Sequence, residues 1–150
     1  MAAEVDGTRT FALSLSSTAS PERLFALLSD GPGWPRWFGP ARRVRWQPGH
    51  PEGGTGAVRL VSIGPITVQE AVVAEVAPEL HAYSIMTVLP VRDHRADVHL
   101  SSDGAVTRIH WTSSFRPKVP GTGALVERGL RFGVTRLAAA LVEAAETPEG

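Results

Sequence analysis

The sequence predicts an α+β domain in which one curved antiparallel sheet of about seven strands wraps around a long C-terminal helix. Apolar residues alternate with polar ones along residues 8–16 and along much of residues 42–115, which is typical of half-buried strands. Turn residues separate these runs at the spacing of a meander, whose neighbouring strands are antiparallel. From Gly121 onward the apolar residues follow helical spacing instead. Two short helices are expected between the first strand and the rest of the sheet.

The first strand and the first helix lie in residues 8–30. The run TRTFALSLS alternates, whereas STASPERLFALLSD has helical spacing with Leu24, Phe25 and Leu28 on one stripe. Ser20 is a favourable N-cap and Pro21 suits the first helical position. These residues predict a strand followed at once by a short helix.

The second short helix is expected in the aromatic segment GWPRWFGP, residues 33–40. Trp34, Trp37 and Phe38 are spaced so that one helical turn presents their three rings together. Pro35 fits the first position of that turn, and the glycine and proline at 39 and 40 end it. The segment is either a hydrophobic plug that completes the core or a lid at the mouth of a cavity.

Six further strands and the long helix make up the rest of the chain. The strands are predicted in RRVRW, AVRLVSIG, TVQEAVVAEVA, HAYSIMTVLP, HRADVHLSS and AVTRIHWTSSF. In the helix, Leu130, Val134, Leu137 and Leu141 share one face. That helix is the only element long enough to cover the apolar face of the sheet, and a sheet wrapped around one helix tends to leave a cavity for a small molecule.

Length and composition exclude several classes of protein. The 150 residues predict a single domain, 1–150, with its core at about 9–145. The chain has no cysteine, so disulfides and thiolate metal sites are excluded, and the histidine spacing predicts no metal site. The formal net charge of zero argues against a nucleic-acid binder. We expect a cytoplasmic protein without a signal peptide, stable membrane insertion or a cofactor, and the oligomeric state stays open.

The sequence also resembles a known superfamily, the START-related helix-grip proteins called SRPBCC, and within it the polyketide cyclase/dehydrase and lipid-transport group. The residues that carry the resemblance are SPERLFALLSD followed by WPRWFGP, then VQEAVVAEVAPELHAYSI, then DGAVTRIHWTSSFRP before the long helix. The resemblance implies the helix-grip fold over most of the chain. It is specific for the fold and does not name a reaction, because members include cyclases, dehydratases, carriers and hormone-binding proteins.

One hairpin can be aligned from its turn, Asp103-Gly104. If these two residues form the loop, Leu100 faces Thr107 and Val98 faces Ile109 on the inner side of the sheet. The same alignment places Asp97 and His110, which resemble an acid–base dyad, together on the outer side. They are therefore expected to form a surface pair, and an exposed Ile109 would contradict this.

Three residues are candidates for acid–base catalysis: Glu70, His94 and Tyr83. Glu70 shares an apolar strand face with Val68 and Val72, where a carboxyl is costly unless it is paired or functional. There a carboxyl is expected to have a raised pKa, with a bulge or an outward side chain as the alternative. His94 is expected at the end of its strand near Ser113, and Tyr83 is either a core residue or a ligand contact.

The sequence also predicts positions for three other polar residues. Arg59 enters the cavity only if the phase of its strand is reversed, and His81 is expected to be exposed at a turn. Glu75 is expected on the wetter face of its strand. The residues expected to line a ligand cavity are Trp34, Trp37, Phe38, Val72, Ala96, Val98, Trp111, Ser113, Leu130 and Val134.

Two functions follow from these expectations. The first is binding of a hydrophobic small molecule in an internal cavity, with aldol cyclisation or dehydration by acid–base groups. The alternative is a non-catalytic carrier or sensor of a lipid or other apolar ligand, and a protein-interaction domain is a weaker third option. The reaction, the ligand and the presence of catalysis stay open at this point.

Overall fold

The structure is a computed structural model, and it describes residues 7–148. Its elements are β1 (Arg9–Ser17), α1 (Pro21–Ser29), a 3-10 helix (Gly31–Arg36), β2 (Ala41–Trp46), β3 (Val58–Ile63), β4 (Ile66–Val76), β5 (Leu80–Ile85), β6 (Val91–Asp103), β7 (Val106–Pro117) and α2 (Gly123–Glu146). The strands form one antiparallel sheet in the order β1-β7-β6-β5-β4-β3-β2. The predicted seven-stranded sheet, the two short helices and the long C-terminal helix are all confirmed.

The start of α1 forms as its sequence predicts. The Ser20 hydroxyl accepts a hydrogen bond from the backbone N–H of Arg23 at 3.1 Å, and Pro21 follows as the first helical residue. The cap satisfies one of the N–H groups that a helix leaves free at its N-terminus. Leu24, Phe25 and Leu28 are buried, as the apolar stripe predicts.

The core lies between the concave face of the sheet and the two α-helices. Leu24 and Leu28 of α1 belong to the same buried cluster as Leu137 and Leu141 of α2, together with Trp111 of β7. In α2 the buried residues of the second half are Leu137, Ala138, Leu141 and Ala145, whereas the first half buries Gly123 alone. The second half of α2 therefore anchors the helix, and the first half is held more loosely.

The β6–β7 hairpin has a different register from the one predicted. Asp103 faces Val106, so Gly104 and Ala105 form the loop, and Leu100 faces Ile109 rather than Thr107. Gly104 has a φ of 68°, a conformation that suits glycine at a tight turn. A shift of two residues leaves every side chain on the same face. Ile109 is 1% exposed, so the predicted inner face of this hairpin is confirmed.

Candidate functional site

An ion pair lies on the concave face between β3 and β4. Arg59 faces Glu70 in the strand register, and its Nε donates a hydrogen bond to Glu70 Oε1 at 2.7 Å. The Arg59 side chain is 0% exposed and that of Glu70 is 13% exposed. Burying either charge alone would carry a large desolvation cost, and the attraction between the two opposite charges offsets part of it. Glu70 therefore points inward, and its partner is the arginine that was expected to face outward.

The ion pair continues into a chain of four polar groups across β3, β4 and β5. Arg59 Nη1 lies 3.0 Å from His81 Nε2, and His81 Nδ1 lies 2.7 Å from Glu75 Oε2. Because arginine can only donate, His81 accepts at Nε2 and carries its proton on Nδ1, which donates to Glu75. Burial lowers the pKa of His81, against the opposing effect of the Glu75 hydrogen bond, so the neutral imidazole is favoured.

Two expectations about this region were wrong, and one irregularity in β4 explains part of the difference. His81 was expected to be exposed but is fully buried, and Glu75 was expected on the wetter face but reaches His81. The register shifts between Val72 and Ala74, so the side chains beyond this bulge change faces. Val76, grouped with the apolar face from the sequence, is 54% exposed for the same reason.

Aromatic rings enclose the guanidinium of Arg59. Its Cζ lies 4.4 Å from the ring centroid of Trp34 and 5.0 Å from that of Tyr83. Trp34 is fixed in turn, because its Nε1 donates to the backbone carbonyl of Leu28 at 3.0 Å. At Gly31 an added Cβ would come within 3.6 Å of Arg59 Cδ and 3.3 Å of Val44, so glycine allows the 3-10 helix to approach the pair closely.

Tyr83 lies at the centre of the site. Its ring centroid is 5.9 Å from that of His94 and 6.4 Å from that of Trp111. Burial first, and then the charge of Glu70, raises the pKa of the Tyr83 hydroxyl far above its usual value. The charge of Arg59, and after it the nearby Trp111 indole N–H, oppose this rise in pKa, although the indole N–H forms no hydrogen bond of good geometry. Tyr83 is therefore a protonated hydroxyl at neutral pH.

His94 is held by hydrogen bonds at both ring nitrogens. The backbone N–H of Ile85 donates to Nδ1 at 2.9 Å, so the proton of the neutral ring is on Nε2, which lies 3.3 Å from Ser113 Oγ. Burial lowers the pKa of His94 to about 4. The predicted proximity of His94 and Ser113 is confirmed, and the ring is neutral and fixed in one orientation.

Two buried N–H groups of residues that pack near Tyr83 have no acceptor among the described residues. They are Nη2 of Arg59 and Nε1 of Trp111. Both residues are 0% exposed, so water on the surface does not satisfy these groups. A buried donor without a partner costs free energy, and such groups in native structures call for an explanation.

The aromatic segment divides between the core and a groove outside it. Trp34 and Phe38 are buried in the core cluster. Trp37 is half-buried, its ring centroid is 6.0 Å from that of Trp34, and it lines a groove of about 660 Å³. This groove lies between α1, the 3-10 helix and the second half of α2, away from the polar residues of the concave face.

The remaining predicted ligand contacts occupy the inner face and the loosely held half of α2. Val72, Ala96, Val98, Trp111 and Ser113 are at most 2% exposed. Leu130 and Val134 are half-buried. Within residues 7–148, no group of three or more histidine and carboxylate side chains is arranged to hold a metal ion. Whether any of these residues contacts a ligand stays a prediction.

Asp97 and His110 lie on the convex face, as expected, but they do not face one another. Asp97 faces Thr112 and accepts hydrogen bonds from Arg95, at 2.9 Å and 3.1 Å. His110 is exposed and lies 3.3 Å from the hydroxyl of Ser14. The predicted pairing was wrong because of the two-residue register shift, and the predicted face is right.

The turn before β4 is the sequence signal that locates the Arg59–Glu70 pair. Ile63 faces Ile66 around the two-residue turn Gly64-Pro65. Counting back from that turn places residue 59 directly opposite residue 70. No comparable signal marks the bulge near Val73, which brings Glu75 to His81.

The chain belongs to the family described as polyketide cyclase/dehydrase and lipid transport, whose family model matches residues 8–146. Comparison with curated proteins found none that matches. No helix within residues 7–148 is long and apolar enough to cross a membrane.

Solved structures share the fold at low sequence identity. The crystal structure of Ara h 8.0201 superposes with a TM-score of 0.78 at 18% identity, covering 93% of this chain and 98% of that one. Norcoclaurine synthase from Thalictrum flavum, in complex with dopamine and hydroxybenzaldehyde, has a TM-score of 0.78 at 13% identity, with coverage of 99% and 93%. The protein XoxI from Bacillus cereus has a TM-score of 0.70 at 21% identity, with coverage of 90% and 94%. At these identities the likeness shows the helix-grip fold alone.

Proposed function

We propose that this protein binds a hydrophobic small molecule that carries a carbonyl group and catalyses its aldol cyclisation or dehydration against the concave face. The supporting observation is that two buried N–H donors have no acceptor: Nη2 of Arg59, whose guanidinium is bonded to Glu70, and Nε1 of Trp111. A carbonyl oxygen would supply the missing acceptor, and the surrounding aromatic rings would bind the apolar part of the ligand.

In the proposed aldol reaction, the residues of the site have separate roles. Glu70 removes a proton from a carbon next to the ligand carbonyl, and Nη2 of Arg59, on the guanidinium that is bonded to Glu70, stabilises the enolate oxygen. The enolate carbon attacks a second carbonyl of the same molecule, and Tyr83 donates its proton to the oxygen that becomes the hydroxyl. The reaction moves one proton from carbon to oxygen, so the protein returns to its starting state once the proton on Glu70 passes back to Tyr83. In dehydration, Glu70 removes a second proton from the same carbon while Tyr83 protonates the departing hydroxyl, so that water leaves and a carbon–carbon double bond forms; the proton on Glu70 again passes back to Tyr83.

His94 has a positioning role in this scheme. Its Nδ1 already accepts a hydrogen bond from Ile85, and its ring packs near the ring of Tyr83. A neutral imidazole held at both nitrogens fixes the tyrosine ring without exchanging protons itself. In this proposal His94 supports Tyr83, whereas the sequence-based prediction gives it the role of an acid or base.

For a ligand to enter, part of the helical layer over the concave face has to move. The first half of α2 contributes Leu130 and Val134, which are half-buried, and it buries Gly123 alone. An element with little buried apolar surface opens at a low free-energy cost. We therefore place the entrance beneath the first half of α2, above β1 and β7.

The carrier function is the second candidate, and one observation favours it. Glu75, His81, Arg59 and Glu70 are hydrogen-bonded in a continuous chain, so they can also hold β3, β4 and β5 together without catalysing a reaction. A carrier would use the same binding surface with no turnover.

The first test is native mass spectrometry of protein purified from its own host, which we expect to reveal an apolar copurifying molecule. With that compound or its precursor, Glu70→Gln is expected to lower turnover about 100-fold or more while changing affinity little. The matched control is Glu79→Gln, which removes an exposed carboxylate at the β4–β5 turn.

Three outcomes separate the alternatives. Loss of turnover in Glu70→Gln alone supports the enzyme. Binding without turnover in the wild-type protein supports the carrier. A protein that binds no apolar compound, by mass spectrometry or by displacement of a fluorescent naphthalene sulfonate, contradicts both functions.

A further inference from the structure

One end of the sheet carries a group of large apolar side chains exposed to solvent. This end, which we call the loop end, comprises the starts of β2, β4 and β6, the ends of β3, β5 and β7, the loops between these strands and the first two turns of α2. The exposed apolar residues there are Ile66 at 37%, Met86 at 52%, Val88 at 54%, Val119 at 54% and Leu125 at 72%. They come from three separate segments, and a cluster of this kind marks an interaction surface more often than single exposed residues do.

Val88 adds a second observation. It lies in the β5–β6 loop with a φ of 80°, a conformation that β-branched residues rarely adopt. The side chain of this strained residue is apolar and more than half exposed. Backbone strain that supports no buried contact points to a role for the displayed side chain.

The loop end is also basic, although the whole chain has a formal net charge of zero. Its exposed cations are Arg42, Arg92, Arg116, Lys118 and Arg128. Among the described residues, the acidic groups there are Asp93 and Glu127, and Glu127 is paired with Arg9 and Arg131. The opposite end has more exposed acids, Glu22, Glu52, Glu79, Asp103 and Glu146, of which Asp103 is paired with the exposed Arg108. Although the net charge of the chain is zero, basic and acidic residues are unevenly distributed between the two ends of the sheet.

We propose that the loop end docks on an anionic lipid surface. Exposed apolar side chains on loops, surrounded by arginine and lysine, match a bilayer interface, where the apolar groups enter between the headgroups and the cations contact phosphates. Nucleic acid would require the cations but not the apolar residues. Docking here places the loosely held first half of α2 next to the membrane, and it does not depend on the chemistry of Glu70.

The test is co-sedimentation of the full chain with vesicles of phosphatidylcholine alone and of phosphatidylcholine mixed with phosphatidylglycerol. Binding is expected only to the mixed vesicles and is expected to weaken as salt increases. The double variant Arg92→Gln/Lys118→Gln is expected to weaken binding roughly thirtyfold, since each cation near an anionic surface contributes about a fivefold effect. Met86→Ser/Val88→Ser is expected to weaken it by about tenfold or more.

Matched controls come from the other end of the sheet. Val76→Ser changes a valine as exposed as Val88, 54% in each case, and Arg108→Gln removes an exposed arginine of the β6–β7 hairpin. Both are expected to bind mixed vesicles as the wild type does.

Several results would overturn membrane docking. These are absence of binding to mixed vesicles, equal loss of binding in the controls, and binding that needs the cations but not Met86 and Val88 and is competed by duplex DNA. A salt-insensitive dimer that Met86→Ser/Val88→Ser dissociates, in a protein that leaves vesicles unbound, would assign the surface to a second copy of this chain.

Discussion

The concave face of the sheet has two halves that differ in chemistry. The half formed by β1, β6 and β7 presents Val98, Leu100, Ile109 and Phe115 to the helices, and each is at most 3% exposed. The half formed by β3, β4 and β5 presents two carboxylates, a guanidinium and an imidazole. Both halves are similarly buried, so burial alone does not distinguish the part that folds the chain from the part that is a candidate for function.

The two halves differ in what they contribute to the stability of the fold. Replacing a buried ion pair with apolar residues of similar size is often neutral or stabilising, so the polar half contributes little to stability beyond what hydrophobic residues would supply. The apolar half has no such alternative, because its stability comes from burial and packing density. A polar chain retained in a core is therefore more readily explained by binding or catalysis than by folding.

The largest expected effect is removal of one charge from the polar half. Arg59→Met is expected to lower the free energy of unfolding by about 3–5 kcal/mol, because it leaves Glu70 buried without its partner. Arg59→Met/Glu70→Met is expected to recover most of that loss. Urea denaturation of both variants measures the difference, and a double variant no more stable than the single one would show that the pair is a structural necessity.

In the apolar half, a truncated side chain has no charged partner whose replacement would restore the lost stability. Leu141→Ala removes a side chain that is 0% exposed and is expected to cost about 3 kcal/mol, within the range for leucine-to-alanine changes in cores. The control is Leu125→Ala at the exposed start of the same helix, expected to change stability by less than about 0.5 kcal/mol. Equal effects of the two variants would mean that α2 is not anchored by its second half.

The pH dependence of stability should arise from the histidine at the boundary between the halves. Burial lowers the pKa of His94 to about 4, whereas an unfolded histidine titrates near its ordinary value of 6.5. Between these values the unfolded state binds more protons, so stability is full above about pH 6.5 and decreases as the pH falls towards 4, by roughly 3 kcal/mol in total. Burial of His81 acts in the same direction.

Chemical denaturation at several pH values tests this dependence. His94→Gln is expected to have a shallower slope of unfolding free energy against pH between 4 and 6.5 than the wild type. His50→Gln, at an exposed position, is expected to keep the wild-type slope. An unchanged slope in His94→Gln would contradict the burial of a neutral imidazole at this position.

The two halves also differ in how far the sequence predicts them. The apolar half follows from alternation, and an error in the loop of the β6–β7 hairpin left its faces correct because the shift was by two residues. The polar half was predicted for Glu70 and missed for Arg59 and His81. Arg59 could have been found from the Gly64-Pro65 turn, but Glu75 reaches His81 only through a bulge that alternation does not reveal.

The smallest effects are expected on the convex face, which serves as the reference for both halves. Arg95 and Asp97, both in β6, form an ion pair in which the side chains are 50% and 23% exposed. Such surface pairs contribute about 0–1 kcal/mol to the free energy of unfolding. Asp97→Asn/His110→Gln is therefore expected to change stability by less than about 1 kcal/mol and to leave ligand affinity and turnover unchanged. Because these two residues resemble an acid–base dyad in the sequence, a large loss of turnover in this variant would move the active site to the convex face and contradict the role of Glu70.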